Sequence, residues 1–196
     1  MILASVIFKK MRWSALGTLG YAILGLLYRR SMTGYELSKE FESGLFEVWS
    51  AKHSQIYPEL KSLYEAGLID YQVEISGTVL EKKVYTITSD GERMLQKWVQ
   101  DSGAAPQAPK DEFRLRLFFS DCVSANSRRQ QLESRLAQHQ QRLERLQKDQ
   151  NKFEELPPQD DQAFNDYLVL LGGIFREQAA CQWLETCLEL CRQRGE

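Results

Sequence analysis

The sequence predicts a mainly α-helical fold with one small β-hairpin, organised in two parts. Three observations carry that expectation. Short helical segments and an alternating hairpin crowd into the first 100 residues. A small-residue, proline-containing stretch, Ser102 to Pro109, interrupts the pattern. Beyond it, apolar residues repeat at heptad spacing over two long segments. The expected divisions are residues 1–101, a linker over 102–110 and a helical region over 111–196.

The first predicted helix runs from Leu16 to Tyr28, with Leu16, Leu19, Ile23, Leu26 and Leu27 at helical spacing. Thr33 followed three residues later by Glu36 is a capping box. It opens a second helix that reaches about Glu42, with Tyr35 or Leu37 and Phe41 inward. Ser50 is a cap candidate for a third helix over Ala51 to Glu65, whose buried face is Ile56, Leu60, Leu63 and Tyr64. Pro58 favours a start nearer Ser54, because proline is tolerated only in the first turn or so. Gly67 suits the C-cap. Ile69, Tyr71, Val73 and Ile75 alternate with polar residues, Ser76-Gly77-Thr78 turns the chain, and Val84 to Thr88 returns. A fourth helix then covers Asp90 to Gln100, with Met94, Leu95 and Trp98 apolar.

Glu112 to Phe119 reads as a short apolar helix. From Arg128 to Glu155, the positions Leu132, Leu136, His139, Leu143, Leu146, Gln150 and Phe153 form a heptad seam with two polar members besides its leucines, and Pro157-Pro158 stops it. The last helix, Phe164 to Arg192, has its own seam at Tyr167, Leu170, Ile174, Cys181, Leu184, Leu188 and Cys191, with Glu177 between Ile174 and Cys181. Phe164, Leu168, Leu171, Phe175 and Trp183 line a second stripe. Two helices cannot bury that much apolar surface on each other, so the expected further partner is a second copy. Candidate dimer-interface residues are Leu132, Leu136, Leu143, Tyr167, Ile174, Trp183, Leu184 and Leu188.

Composition narrows the function. Hydrophobic residues at 43% and charged residues at 27% describe a folded chain. The net charge of −2 gives no global basic field, although residues 1–100 hold 12 Lys and Arg against 11 acids and residues 101–196 hold 13 against 16. The apolar run Trp13 to Tyr28 falls short of the roughly 20 residues that span a bilayer and is diluted by Ser14, Gly17, Thr18, Gly20 and Gly25. Lys9-Lys10 follow the apolar start rather than precede it, against the order of a secretory signal, so a cytoplasmic location is expected. Four cysteines, Cys122, Cys181, Cys187 and Cys191, read as free thiols. Cys187 and Cys191 share a helix face but lack a third ligand nearby, so no metal or cofactor is expected. His53 and His139 fall on different helices with no nucleophile motif and no Gly-rich phosphate loop, and no enzyme is expected.

Helix, helix, helix, hairpin, helix in under 90 residues is the plan of a winged helix-turn-helix, which leaves one helix free for a major groove. The residues then resemble the PadR family of bacterial transcriptional regulators. The resemblance is carried by Leu24-Gly25-Leu26-Leu27, Met32-Thr33-Gly34-Tyr35-Glu36-Leu37, Ile56-Tyr57-Pro58-Glu59-Leu60 and Lys83-Val84-Tyr85-Thr86-Ile87-Thr88 before Asp90-Gly91. The second half is similar to the larger subgroup with a virulence-activator-like α-helical C-terminal domain, through Asp111-Glu112-Phe113, Leu117-Phe118-Phe119, Gly173, Glu177 and Trp183-Leu184. The resemblance implies a homodimer on the double-stranded DNA of an inverted-repeat operator, often a repressor, released in some members by phenolic acids or hydrophobic drugs. One departure is the wing, Ser76 to Lys83, where only Lys82 and Lys83 are basic and Glu81 is acidic.

Within that plan the DNA-binding candidates are Lys52, Ser54, Gln55, Tyr57 and Lys61 on the third helix, Tyr35 and Ser38 on the second, and Lys82 and Lys83 on the wing. Lysine and tyrosine reach phosphates, glutamine pairs with an adenine edge, and serine donates to either. His53 reads as a plain exposed histidine. Trp98 reads as a core-packing residue, and the resemblance implies the alternative that it stacks a planar ligand. Two other readings stay open. A winged-helix protein-protein interaction module without DNA binding would be indifferent to Lys52→Ala, Gln55→Ala and Lys61→Ala. A ligand-holding scaffold would bind small molecules without effect on DNA.

Overall fold

The computed structural model describes residues 16–42, 53–76, 80–101 and 111–193. The chain divides into two compact units, Met1–Ala105 and Pro106–Glu196. Among the described residues no helix is long and apolar enough to cross a membrane.

In the first unit, α1 (Thr18–Arg29) leads to a two-residue strand β1 (Met32–Thr33), then α2 (Gly34–Glu42) and α3 (His53–Glu65). The wing follows as β2 (Ile69–Ser76) and β3 (Leu80–Ile87), and α4 (Ser89–Gln100) closes the unit. The antiparallel sheet has the order β1-β3-β2, with Met32 opposite Tyr85 and Ile69 opposite Ile87. β1 is absent from the sequence reading, because two residues carry no alternation to detect. Ile23, Leu24, Leu27, Leu37, Ile56, Leu60, Leu63, Leu68 and Ile69 form the core, each worth about 1.5–3 kcal/mol when buried.

Local chemistry sets the boundaries. The predicted capping box forms: the Thr33 N–H donates to Glu36 Oε2 at 2.7 Å, and the Glu36 N–H donates to Thr33 Oγ1 at 3.2 Å. The Thr33 N–H and the Thr33 hydroxyl, which donates to the same oxygen at 2.8 Å, together with Arg30, hold the Glu36 carboxyl below the usual range. The helix α3 begins near the position that Pro58 suggested; the expected cap Ser50 and start Ala51 lie outside the described residues. It ends in a Schellman turn. Gly67 has φ 73°, its N–H donates to the Tyr64 carbonyl, and the Leu68 N–H donates to the Leu63 carbonyl at 3.0 Å. Thr88 then caps α4 by accepting the Gly91 N–H.

The second unit holds α5 (Glu112–Phe118), a 3-10 turn (Ser120–Cys122), α6 (Ala125–Gln150) and α7 (Gln162–Gln193). Ser124 caps α6 three residues earlier than the sequence suggests. The helix α6 stops at Gln150 rather than near Glu155, yet Phe153 still turns back edge-on to Tyr167 at 5.3 Å. α7 buries Gly173, Ile174, Glu177, Cys181 and Leu184, a heptad face set against Leu132 and Leu146 of α6.

Candidate nucleic-acid interface

Ile56, Leu60 and Leu63 are drawn into the core, and that burial turns the other side of α3 outward. Ser54, Gln55, Tyr57 and Lys61 stand on the exposed side, each as expected from the sequence. Of the rest of the set, Lys52 lies outside the described residues, as does the His53 side chain. Lys61 reaches Glu65 one turn on, at 3.9 Å, through side chains that are both well exposed. Tyr64, expected inward, is exposed instead, and its ring lies 4.9 Å from that of Tyr71 on β2.

The first turn of α2 completes the surface. Tyr35 is 62% exposed and carries the Lys39 ammonium 5.6 Å from its ring centre. Tyr57, 45% exposed, lies directly over Gly34: a Cβ there would come within 2.8 Å of Tyr57 Cε1. Tyr57 of α3 therefore packs on the residue next to Tyr35 of α2, a close approach that Gly34 permits. Lys39 was missing from the sequence reading, although its i,i+4 spacing from Tyr35 places it on the same face.

Ser38 requires a correction. It is only 4% exposed, and its hydroxyl donates to the Gly34 carbonyl at 2.9 Å. It faces the core side of α2 and offers nothing to a ligand. On the wing, Lys82 and Lys83 are exposed. Lys82 stands opposite Glu74, and the Lys83 ammonium lies 4.3 Å over the Tyr71 ring. The turn residues 77–79 lie outside the described residues. Trp98 is neither core nor open. It is 43% exposed, and one face stacks on Tyr21 at 4.7 Å and 7°.

The interface candidates of the second unit divide in two. Leu132, Ile174 and Leu184 are fully buried within the single chain, where they hold α6 on α7, so they have no surface left for a partner. The sequence could not separate an intrachain seam from an interchain one, because both follow heptads. Leu136, Leu143, Tyr167, Trp183 and Leu188 are half-buried. Phe175, at 65% exposure, and Leu168 remain uncovered on the second stripe of α7.

One polar member of the α6 seam meets the polar interruption of the α7 seam. His139 Nδ1 lies 2.5 Å from Glu177 Oε2, and Arg142 and Arg176 stand 3.5 and 3.7 Å from Glu177 Oε1. Burial pushes the Glu177 carboxyl up, but the His139 contact and the Arg142 charge outweigh it and leave it below the usual range.

Residues 23–97 match the transcriptional regulator PadR-like family, and residues 109–192 match the virulence activator alpha C-terminal domain. The chain is 39% identical over 178 residues to the negative transcriptional regulator PadR of Bacillus subtilis, covering 88% of this chain and 96% of that one. Two crystal structures of Bacillus subtilis PadR are also similar. The complex with operator DNA superposes with a TM-score of 0.84 at 37% identity, covering 89% of this chain and 99% of that chain. The complex with p-coumaric acid superposes with a TM-score of 0.79 at 34% identity, covering 89% and 98%.

Proposed function

Because the chain belongs to the PadR-like family of transcriptional regulators, we propose that it acts in the cytoplasm as a homodimeric repressor, not an enzyme, on an inverted-repeat operator. In this reading residues 1–101 bind DNA, 102–110 link, and 111–196 dimerise. The observation that supports it is that Tyr35 and Lys39 of α2 and Gln55, Tyr57 and Lys61 of α3 are exposed on helices packed around one core. The helix α3 enters the major groove, where Gln55 and Ser54 meet base edges. Tyr35, Tyr57, Lys39 and Lys61 hold phosphates on either side, which positions the helix without specifying sequence. Lys82 extends the wing toward the backbone, while Lys83, held over Tyr71, contributes less.

Dimerisation uses the outer stripe of α7, with Leu168 and Phe175 as anchors and Trp183 at its margin, rather than the seam that holds α6 and α7 together. The homodimer sets its two copies of α3 in successive turns of the duplex, roughly 34 Å apart. The p-coumaric acid complex of the Bacillus subtilis relative supports a small aromatic effector that shifts the dimer toward a geometry with lower operator affinity.

Fluorescence polarisation on a duplex from the region upstream of the chain's own gene tests the proposal. It predicts binding at least about 1,000-fold tighter than to a scrambled duplex and release on adding p-coumarate. Equal affinity for both duplexes, with the fold intact by circular dichroism, would favour the protein-protein module instead.

A further inference from the structure

The second unit contains a cavity of about 280 Å³ where α5, α6 and α7 meet. Each helix sends one guanidinium to it: Arg114 from α5, Arg135 from α6 and Arg176 from α7. Two of these are held against aromatic rings. Arg114 lies 5.1 Å from the Trp183 ring centre, and Arg135 lies 5.2 Å from that of Phe113. A guanidinium held on a ring keeps its in-plane N–H donors available at its edge, the geometry that grips carboxylate and phosphate oxygens.

The charge balance points the same way. Among the described residues, Arg114, Arg135, Arg176 and His139 line the cavity with one carboxylate, Asp111, and behind it Arg142 and Arg176 share Glu177. Asp111 pairs with Arg114 at 3.3 Å, and Glu177 is 1% exposed and turned into the helix seam toward His139. Two positive charges are left over in a half of the chain that carries more acids than bases. Like charges gathered in a concavity raise the local positive potential and draw a counter-anion to it.

We propose that this cavity is a binding site for the oxyanion group of a small metabolite, a phosphate or a carboxylate. Its volume is at the low end for small-molecule pockets, which suits a compact ligand. Arg135 and Arg176 supply the donors, and Arg114, already shared with Asp111, closes the rim. The site belongs to the helical unit alone and does not depend on the operator reading.

The test follows the indole N–H signal of Trp183 in the ¹⁵N-labelled full-length protein without DNA, assigned with Trp183→Phe. The protein is titrated with inorganic phosphate, with succinate, and with sodium chloride at matched ionic strength. The expected result is saturable movement beyond the chloride control, with a Kd on the order of 1 mM, for at least one of the first two. Phosphate alone identifies a phosphorylated ligand, and succinate alone a carboxylate. Arg135→Gln is expected to weaken binding at least tenfold with helicity retained, and Arg114→Gln replaces it if that variant does not fold. Movement no greater than chloride produces for both anions, or an unchanged response in the folded Arg→Gln variant, would overturn the site.

Discussion

Gly34→Ala separates the fold from the binding surface. Gly34 opens α2 without a left-handed φ, so alanine fits the backbone and adds about 0.5–1 kcal/mol of helix propensity. The added Cβ, however, would lie 2.8 Å from Cε1, 3.0 Å from Cζ and 3.1 Å from the hydroxyl of Tyr57. Carbon atoms rest at about 3.5–4.0 Å, so the ring must retreat by about 0.7 Å. A hydroxyl that met a phosphate oxygen at about 2.7 Å would then stand beyond hydrogen-bond range. A hydrogen bond to a charged group is worth about 1.5 kcal/mol at the low end, and the loss occurs once in each protomer. The dimer should lose about 3 kcal/mol, roughly 150-fold in operator affinity by polarisation, while its melting temperature stays within a few degrees of wild type. Wild-type affinity in a folded Gly34→Ala protein would refute the placement of Tyr57 on DNA.

Other expectations follow from the same contacts. Phe175→Glu should convert the dimer to a folded monomer in sedimentation, because it places a charge in the outer stripe of α7; an unchanged dimer would move the interface elsewhere. Leu184→Ala, in the intrachain seam, should instead cost about 2–5 kcal/mol in denaturant unfolding. Glu177 titrates below its ordinary value near 4.5 in the folded chain, so its stabilising effect is full above that value and fades as the pH falls through the folded one. The melting temperature should therefore drop on acidification below about 4.5, and Glu177→Gln should remove that share of the dependence while costing about 3 kcal/mol at neutral pH. Lys61→Ala should weaken operator and scrambled duplex alike and flatten the salt dependence by about two ions per dimer.

Much of the first unit was legible because its signals are local. The Thr33–Glu36 box, the Gly67 terminus and the β2 strand each need only a few neighbouring residues, and all three form, although Val73 on the apolar side of the alternation is 50% exposed. β1 was not legible, since its two residues are defined only by their pairing with β3. Ser38 was misplaced because residue chemistry alone does not say which way a hydroxyl turns, and here the Gly34 carbonyl lies within its reach. In the second unit, periodicity located the helices but not their partners. Leu184 and Phe175 both lie on apolar stripes of α7, yet only the packing of α6 shows that Leu184 is used up within one chain. The pairing of His139 with Glu177 was hidden for the same reason: each is a polar interruption of a seam, and nothing in the order of residues says that the two interruptions meet.

Hydroxyl-radical footprinting of the upstream duplex reads the central claim most directly. Two symmetric protected patches with centres one helical turn apart, about 34 Å, both lost in Tyr57→Phe combined with Lys61→Ala, are the predicted result. A single patch, or protection that survives that double substitution, would contradict the presentation of α3 to DNA by a two-fold dimer.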